Sequence, residues 1–340
     1  MRKNETYRVG LIGYGSWATA IAKVLTENDF RIYWWFRKEE DIAFMQKHHH
    51  HPRYLQAIHF NVEKLKLTTR LHDVVEKNDW IVIAVPSAFA EPILEEIPAS
   101  AWQNKAVVSG IKGILPGTNQ LLNDYLAAKA QFPAEQYFAI TGPCHAEEVA
   151  SEKLSYITIS GRDTERAQRI ASRFRTAYLK TLVNDDLWGA QYAATLKNIY
   201  AIGAGIAHGL GYGDNFLAVY VANCAHEMDA FNKALCEQQQ HPYRSQNAFA
   251  SAYLGDLLVT CYSQYSRNRT LGTMIGKGYS VKSAQLELGM VAEGYYASKC
   301  IHELNQHYRF SIPIAEQIYQ ILWEHQLPEK AISQMAQTFI

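Results

Sequence analysis

Short apolar runs and amphipathic stretches alternate through the first half of the chain. Tyr7–Gly13 (YRVGLIG), Arg31–Phe36 (RIYWWF) and Trp80–Pro86 (WIVIAVP) are runs rich in β-branched and aromatic residues, the pattern of buried strands. Ser16–Asn28, Asp41–His48 and Ser87–Ile97 space their apolar residues as helices do. Further strands are expected at Ala106–Ser109, Tyr137–Ile140, Ser155–Ser160 and Leu179–Leu182. Strands and helices in such alternation predict repeated βαβ units and a mostly parallel sheet covered on both faces.

Strand signals stop at Asp185. Helical periodicity then predicts Ala190–Ala207, Phe216–Leu235, Ala297–His307 and Ile314–Trp323, with breaks at Gly209–Asp214 and Ser245–Asp256. Asp185 or Asp186 stands where a side chain would cap the first of these helices. The expected fold is an α/β, doubly wound N-terminal domain over 1–188, followed by an all-α domain over 189–340. No internal repeat or low-complexity linker interrupts it, and 340 residues suffice for two cores.

Composition narrows the partners. Lys plus Arg and Asp plus Glu number 33 each, so no global field draws in nucleic acid, a membrane surface or a polyanion, and an anionic ligand must be held by local groups. Ala190–Leu210 is apolar, but Lys197, Asn198 and His208 interrupt it, which favours a buried helix over a membrane span. The first residues lack a secretory apolar core, and five cysteines without metal spacing fit reduced thiols in a cytoplasmic protein with neither disulfide nor metal. His48–His51 reads as a solvated polar loop.

Gly13-Tyr14-Gly15-Ser16-Trp17-Ala18 lies between the first strand and the first helix, the context in which GxGxx(G/A) has a mechanical meaning. Gly13 permits the tight turn, Gly15 lets the backbone approach a pyrophosphate at the helix N-terminus, and Ala18 still allows close helix–strand packing. This predicts a dinucleotide-binding, Rossmann-type domain. The second strand ends in Phe36, Arg37 and Lys38 instead of the acid that receives a ribose 2′-hydroxyl, so Arg37 points to a tolerated 2′-phosphate: NADP, or both NAD and NADP.

Three further segments carry chemistry. In Val107–Ile114 (VVSGIKGI), Lys112 follows a strand between glycines, where ligands of a doubly wound sheet lie. Lys197 sits among Ala, Leu, Ile and Tyr, so burial should lower its pKa and fit it for general acid/base work, with Asn198 beside it to orient a substrate hydroxyl. In Leu254–Gly272, Asp256 and Thr260 share a helical face, followed by Ser266, Arg267, Asn268 and Arg269 as a phosphate clamp.

These segments together, in this order from about Arg8 to Pro313, resemble the bacterial type of NAD(P)-dependent glycerol-3-phosphate dehydrogenase. The shared stretches include GYGSWATAIA, NDWIVIAVPS, SGIKG, ITGPCHAEEVA, TLKNIYAIGAGIAHGLGYGDN, GDLLVTCYSQYSRNRTLG and VAEG. The resemblance implies Lys197 as acid/base at the substrate C2 oxygen, Lys112 as a second lysine near it, and Asp256 and Thr260 as companions. It implies Ser266, Arg267, Asn268, Lys112, Gly142 and Cys144 at the substrate, and Ser16, Trp17, Arg37, Lys112, Ala146, Arg267, Val291 and Glu293 along the dinucleotide. It also implies a homodimer and supply of glycerol 3-phosphate for glycerophospholipid synthesis. Cys144 replaces the hydroxyl usual in the family's GPSFA or GPTFA, and a thiol is the weaker donor; His145 and Ile111 are further departures. Two rival readings remain. A related dehydrogenase of another hydroxy acid need not carry SRNR after GDLxxT, and a non-catalytic nucleotide-binding regulator would be expected to lose Lys197 or Asp256.

Overall fold

The computed structural model describes residues 8–241 and 249–340. Eight strands form one sheet: β1 (Val9–Ile12), β2 (Ile32–Trp35), β3 (Leu65–Thr68), β4 (Trp80–Ile83), β5 (Ala106–Ser109), β6 (Tyr137–Thr141), β7 (Ser155–Ser160) and β8 (Leu179–Asn184). Their spatial order is β3-β2-β1-β4-β5-β6-β7-β8. All pairings are parallel except β6 with β7, which is antiparallel. The order reverses between β1 and β4, so the first turn opens at the crevice where such sheets bind ligands.

The alternation read from the sequence is the alternation between two cores. Ile12, Ile81, Ile83 and Val107 enter the core shared with the C-terminal helices, whereas Leu11, Val82 and Val108 enter the core on the opposite sheet face. Successive side chains of a strand point to opposite faces, so a strand buried on both sides reads as a continuous apolar run. β3 was not predicted. Its LKLT has no fully buried residue, as suits the edge it occupies.

The architecture changes between Asn184 and Leu187, and residue 188 is the second residue of the helix Leu187–Gly209. Of the two candidate caps, it is Asp186 that accepts a hydrogen bond from the Gly189 N–H, at 2.9 Å, and also one from the Tyr253 hydroxyl. Among the described residues no helix is long and apolar enough to cross a membrane, and all five cysteines are free and buried. The break expected at Ser245–Asp256 lies partly outside the described residues; its described part holds a π-helical turn at Ser251–Gly255.

Within the histidine run, His48 and His49 are exposed as expected and His51 departs from expectation. His48 ends the helix Glu39–His48 and His51 is fully buried, its Nδ1 accepting from the Arg53 and Tyr54 backbone N–H groups at 3.1 Å each. Burial holds the His51 pKa down at about 4, so the ring packs as a neutral aromatic against Tyr14 and Phe36 rather than being solvated.

One crossing sets the geometry of the C-terminal part. The helix Leu187–Gly209, which carries Lys197, packs against Arg267–Gly276, which begins with Arg267, through glycines on both partners. A Cβ on Gly205 would stand 2.1 Å from the Arg269 carbonyl oxygen, and one on Gly272 would stand 2.0 Å from that of Ile202. Backbone meets backbone there, which brings the N-terminus of the second helix beside Asn198. Gly272→Ala should therefore cost about 3 kcal/mol of stability in denaturant unfolding; a loss below about 0.5 kcal/mol would show that the crossing tolerates a side chain.

Candidate active site

Gly13 has φ +151°, and a Cβ there would lie 2.4 Å from the Ala84 carbonyl oxygen, so the turn between β1 and the helix Ser16–Glu27 requires glycine. The Trp34 indole donates to the Gly13 carbonyl at 2.7 Å and fixes the turn from behind, where Ala18 is fully buried. Gly15 faces open space, with nothing within 4 Å of a built Cβ. Such a cradle at a helix N-terminus fits a pyrophosphate.

Two clefts meet at this turn. The wider, of about 910 Å³, runs past Tyr14, Arg37, Tyr54, Phe89 and Met290. The narrower, of about 200 Å³, is walled by Lys112, Cys144, Lys197, Asp256, Thr260 and Asn268, among others. Gly15, Ser16, Arg267 and Val291 line both. Arg267 donates to the Ser16 hydroxyl at 2.6 Å and so ties the helical part to the glycine turn.

At the base of the narrow cleft lies a buried ion pair. Lys197 and Asp256 are 4% and 1% exposed, and the lysine Nζ donates to Asp256 Oδ1. The second carboxylate oxygen accepts the Gly142 N–H at 3.2 Å and lies 3.8 Å from Lys112 Nζ, which itself donates to the Gly142 carbonyl at 3.2 Å. Burial lowers the Lys197 pKa, Asp256 opposes that, and the Lys112 charge lowers it again, leaving it at about 8. The sequence expectation of a depressed lysine is met, and a group of this kind can give and take protons near neutrality.

Other predicted residues take distinct places. Gly142 is not a cleft wall; its peptide holds Asp256 and Lys112. The Thr260 hydroxyl donates to the Asp256 carbonyl oxygen at 2.5 Å, and Ser266 caps its helix by accepting from the Arg269 N–H at 3.2 Å, both beside the cleft. Asn198 lines the narrow cleft, and its Nδ2 donates to the Lys112 and Ala194 carbonyl oxygens at 2.9 and 3.0 Å, so a substrate hydroxyl could meet it only as a donor to Oδ1. Arg269 lines neither cleft, unlike Arg267. Burial raises the Cys144 thiol to about 12 and lowers His145 to about 4, so both face the cleft uncharged.

Ala146 opens the short helix Ala146–Ala150 at the cleft, and the Glu293 carboxylate accepts the Ser87 N–H at 3.0 Å and the Ser87 hydroxyl. Ser87 was missed, although it follows the C-terminal end of β4, the position at which Lys112 was found after β5. Tyr54 was missed as well; it sits in an irregular segment without any periodic signal. Among the described residues, His72, Asp73 and Glu76 are the only group with metal-ligand spacing, and none of them lines either cleft.

A doubly wound sheet, a glycine cradle at its crevice and a buried lysine on a helical second layer define a two-domain, nicotinamide-dependent dehydrogenase. The comparisons narrow that class. Family models described as the NAD-dependent glycerol-3-phosphate dehydrogenase N-terminus and C-terminus match residues 8–167 and 186–333. A glycerol-3-phosphate dehydrogenase [NAD(P)+] of Chlorobium limicola is 32% identical over 325 residues, 95% of this chain and 96% of the relative. That of Listeria innocua is 31% identical over 326 residues, 96% and 94% of the two chains. The crystal structure of the Coxiella burnetii glycerol-3-phosphate dehydrogenase superposes with a TM-score of 0.87 at 28% identity, covering 97% of this chain and 98% of that one. D-mandelate dehydrogenase with NADH shares the fold at a TM-score of 0.61 and 12% identity, covering 96% of this chain and 99% of that one. The chain belongs to the NAD-dependent glycerol-3-phosphate dehydrogenase family.

The ion pair makes one direct prediction. Asp256→Asn removes the charge that opposes burial, so Lys197 should titrate below the value of about 8 in the native chain. Nitrogen-15 NMR of the lysine side chains reads this; a titration at or above the native one would show that Asp256 does not govern Lys197.

Proposed function

We propose that this chain interconverts dihydroxyacetone phosphate and sn-glycerol 3-phosphate with a nicotinamide dinucleotide as hydride carrier. The observation that carries the reading is the Lys197–Asp256 pair at the base of a cleft that opens onto the Gly13–Ala18 turn, with Arg267 where the two clefts meet. The nucleotide would lie on Gly15 and Ser16 along the wide cleft, and the triose phosphate against the helical layer. When bound, the nicotinamide supplies or accepts the hydride at C2.

The chain's own groups do the rest. In reduction, Lys197 gives the Nζ proton to the C2 oxygen as the carbon receives hydride, and the neutral amine regains a proton from solvent. Lys112 Nζ, held by the Gly142 carbonyl, stabilises negative charge on that oxygen. Arg267 presents a planar fork to the phosphate, which fixes C2 toward the turn. Cys144 and His145, uncharged, leave the phosphate to Arg267.

We infer that the chain takes NAD or NADP, a 2′-phosphate being tolerated. Phe36, just after β2, is fully buried and has no carboxylate, and the buried Asp41, which accepts the Tyr14 hydroxyl at 2.5 Å, lines neither cleft. Arg37 is exposed on the wide cleft, where a 2′-phosphate would meet it. We further place the chain in the cytoplasm as a homodimer, with its domain boundary at residue 188, supplying glycerol 3-phosphate for glycerophospholipid synthesis. Five free cysteines suit a reducing compartment.

Nicotinamide absorbance with purified protein and dihydroxyacetone phosphate tests the reaction. Oxidation of NADPH or NADH should depend on that substrate, and Lys197→Ala should lower kcat by about 10³-fold with cofactor affinity retained. A folded variant of undiminished kcat would remove Lys197 from proton transfer. Arg37→Ala should raise KM for NADPH about tenfold and leave KM for NADH unchanged; equal effects would refute the 2′-phosphate contact.

A further inference from the structure

Two buried asparagines form a chain of hydrogen bonds whose direction is fixed at both ends. The Gly294 N–H, which can only donate, meets Asn268 Oδ1 at 2.9 Å. Asn268 must therefore present its Nδ2 onward, and it donates to Asn198 Oδ1 at 2.9 Å. Asn198 in turn presents Nδ2 to the Lys112 carbonyl oxygen at 2.9 Å, a group that can only accept. Neither amide can be flipped without setting donor against donor or acceptor against acceptor. Asn198 and Asn268 are 5% and 7% exposed, so little water is at hand to replace a lost bond.

The chain joins parts that are distant in sequence. Gly294 is the second residue of the helix Glu293–Tyr308, next to the carboxylate that holds Ser87. Asn268 stands at the start of Arg267–Gly276, and Asn198 follows Lys197. The Lys112 segment follows β5 on the other layer and carries no regular structure of its own. Its lysine Nζ must nevertheless stay 3.2 Å from the Gly142 carbonyl and 3.8 Å from Asp256.

We propose that Asn268 and Asn198 form a one-way amide relay that anchors the Lys112 backbone, making Asn198 a positioning residue for the Lys112 ammonium. The role given to Lys112 in turnover rests on the proposed reaction; the anchoring does not. Asn268 keeps one Nδ2 hydrogen outside the relay, so it can serve the relay and a substrate oxygen together.

Two near-isosteric variants break the relay at different links. Asn198→Asp still accepts from Asn268 but has no donor for Lys112; Asn268→Asp still accepts from Gly294 but has no donor for Asn198. Hydrogen exchange reads the anchoring without any substrate. Amides of residues 110–114 should exchange at least about tenfold faster in both variants, with 187–209 unchanged; native exchange there would overturn the relay. Kinetics read the consequence. Asn198→Asp should lower kcat for dihydroxyacetone phosphate reduction about 30-fold with cofactor KM within about twofold, yet cost less than about threefold when added to Lys112→Ala. An equal loss in both backgrounds would show that Asn198 does not act through Lys112. If the unaltered chain fails to turn over the substrate, the proposed reaction falls and the exchange result still decides the relay.

Discussion

Burying an ammonium group is costly unless an anion meets it, and the arrangement of this molecule follows from how Lys197 is met. Its helix is buried along nearly its whole length, so the ammonium meets water only through the narrow cleft and depends on Asp256. The carboxylate depends in turn on the Gly142 N–H and on Lys112, both contributed by the sheet layer. Neither layer satisfies the pair alone. The site therefore forms where the two layers join.

Packing supplies the precision. Glycines at the crossing of the Lys197 and Arg267 helices let their backbones touch, which places the N-terminus of the second beside Asn198. Arg267 then reaches Ser16 on the glycine turn, and Glu293 reaches Ser87 after β4, so the sheet layer is tied to the helical part at two points. Binding at this seam can draw on both layers. Desolvation also sets the chemistry, because the burial that makes Asp256 necessary is what brings Lys197 near neutrality.

Much of this was legible in the chain. Strands buried on both faces declare themselves as unbroken apolar runs, and β1, β2, β4 and β5 were found that way. A lysine among apolar residues on a long helix announces its own desolvation. Hydrogen bonds between distant segments were not legible: nothing local in KNIYA tells that Asn198 spends both hydrogens on backbone carbonyls, or in VPSAF that Ser87 will meet Glu293. His51 was misread because a histidine run looks polar, and only the aromatic neighbours brought by Tyr14 and Phe36 make it core. β3 and Tyr54 lie at an edge and in a loop, where side chains carry no period.

The most direct test of the account is the pH dependence of kcat in both directions of the reaction. Lys197 must be protonated to reduce the ketone and neutral to oxidise the alcohol. Reduction should fall, and oxidation rise, as pH passes through about 8, the value at which burial and Asp256 hold the amine. Opposite limbs sharing one apparent pKa in that region would bear out the central claim. Parallel limbs, or profiles flat between pH about 7 and about 9, would contradict it and place the proton on another group.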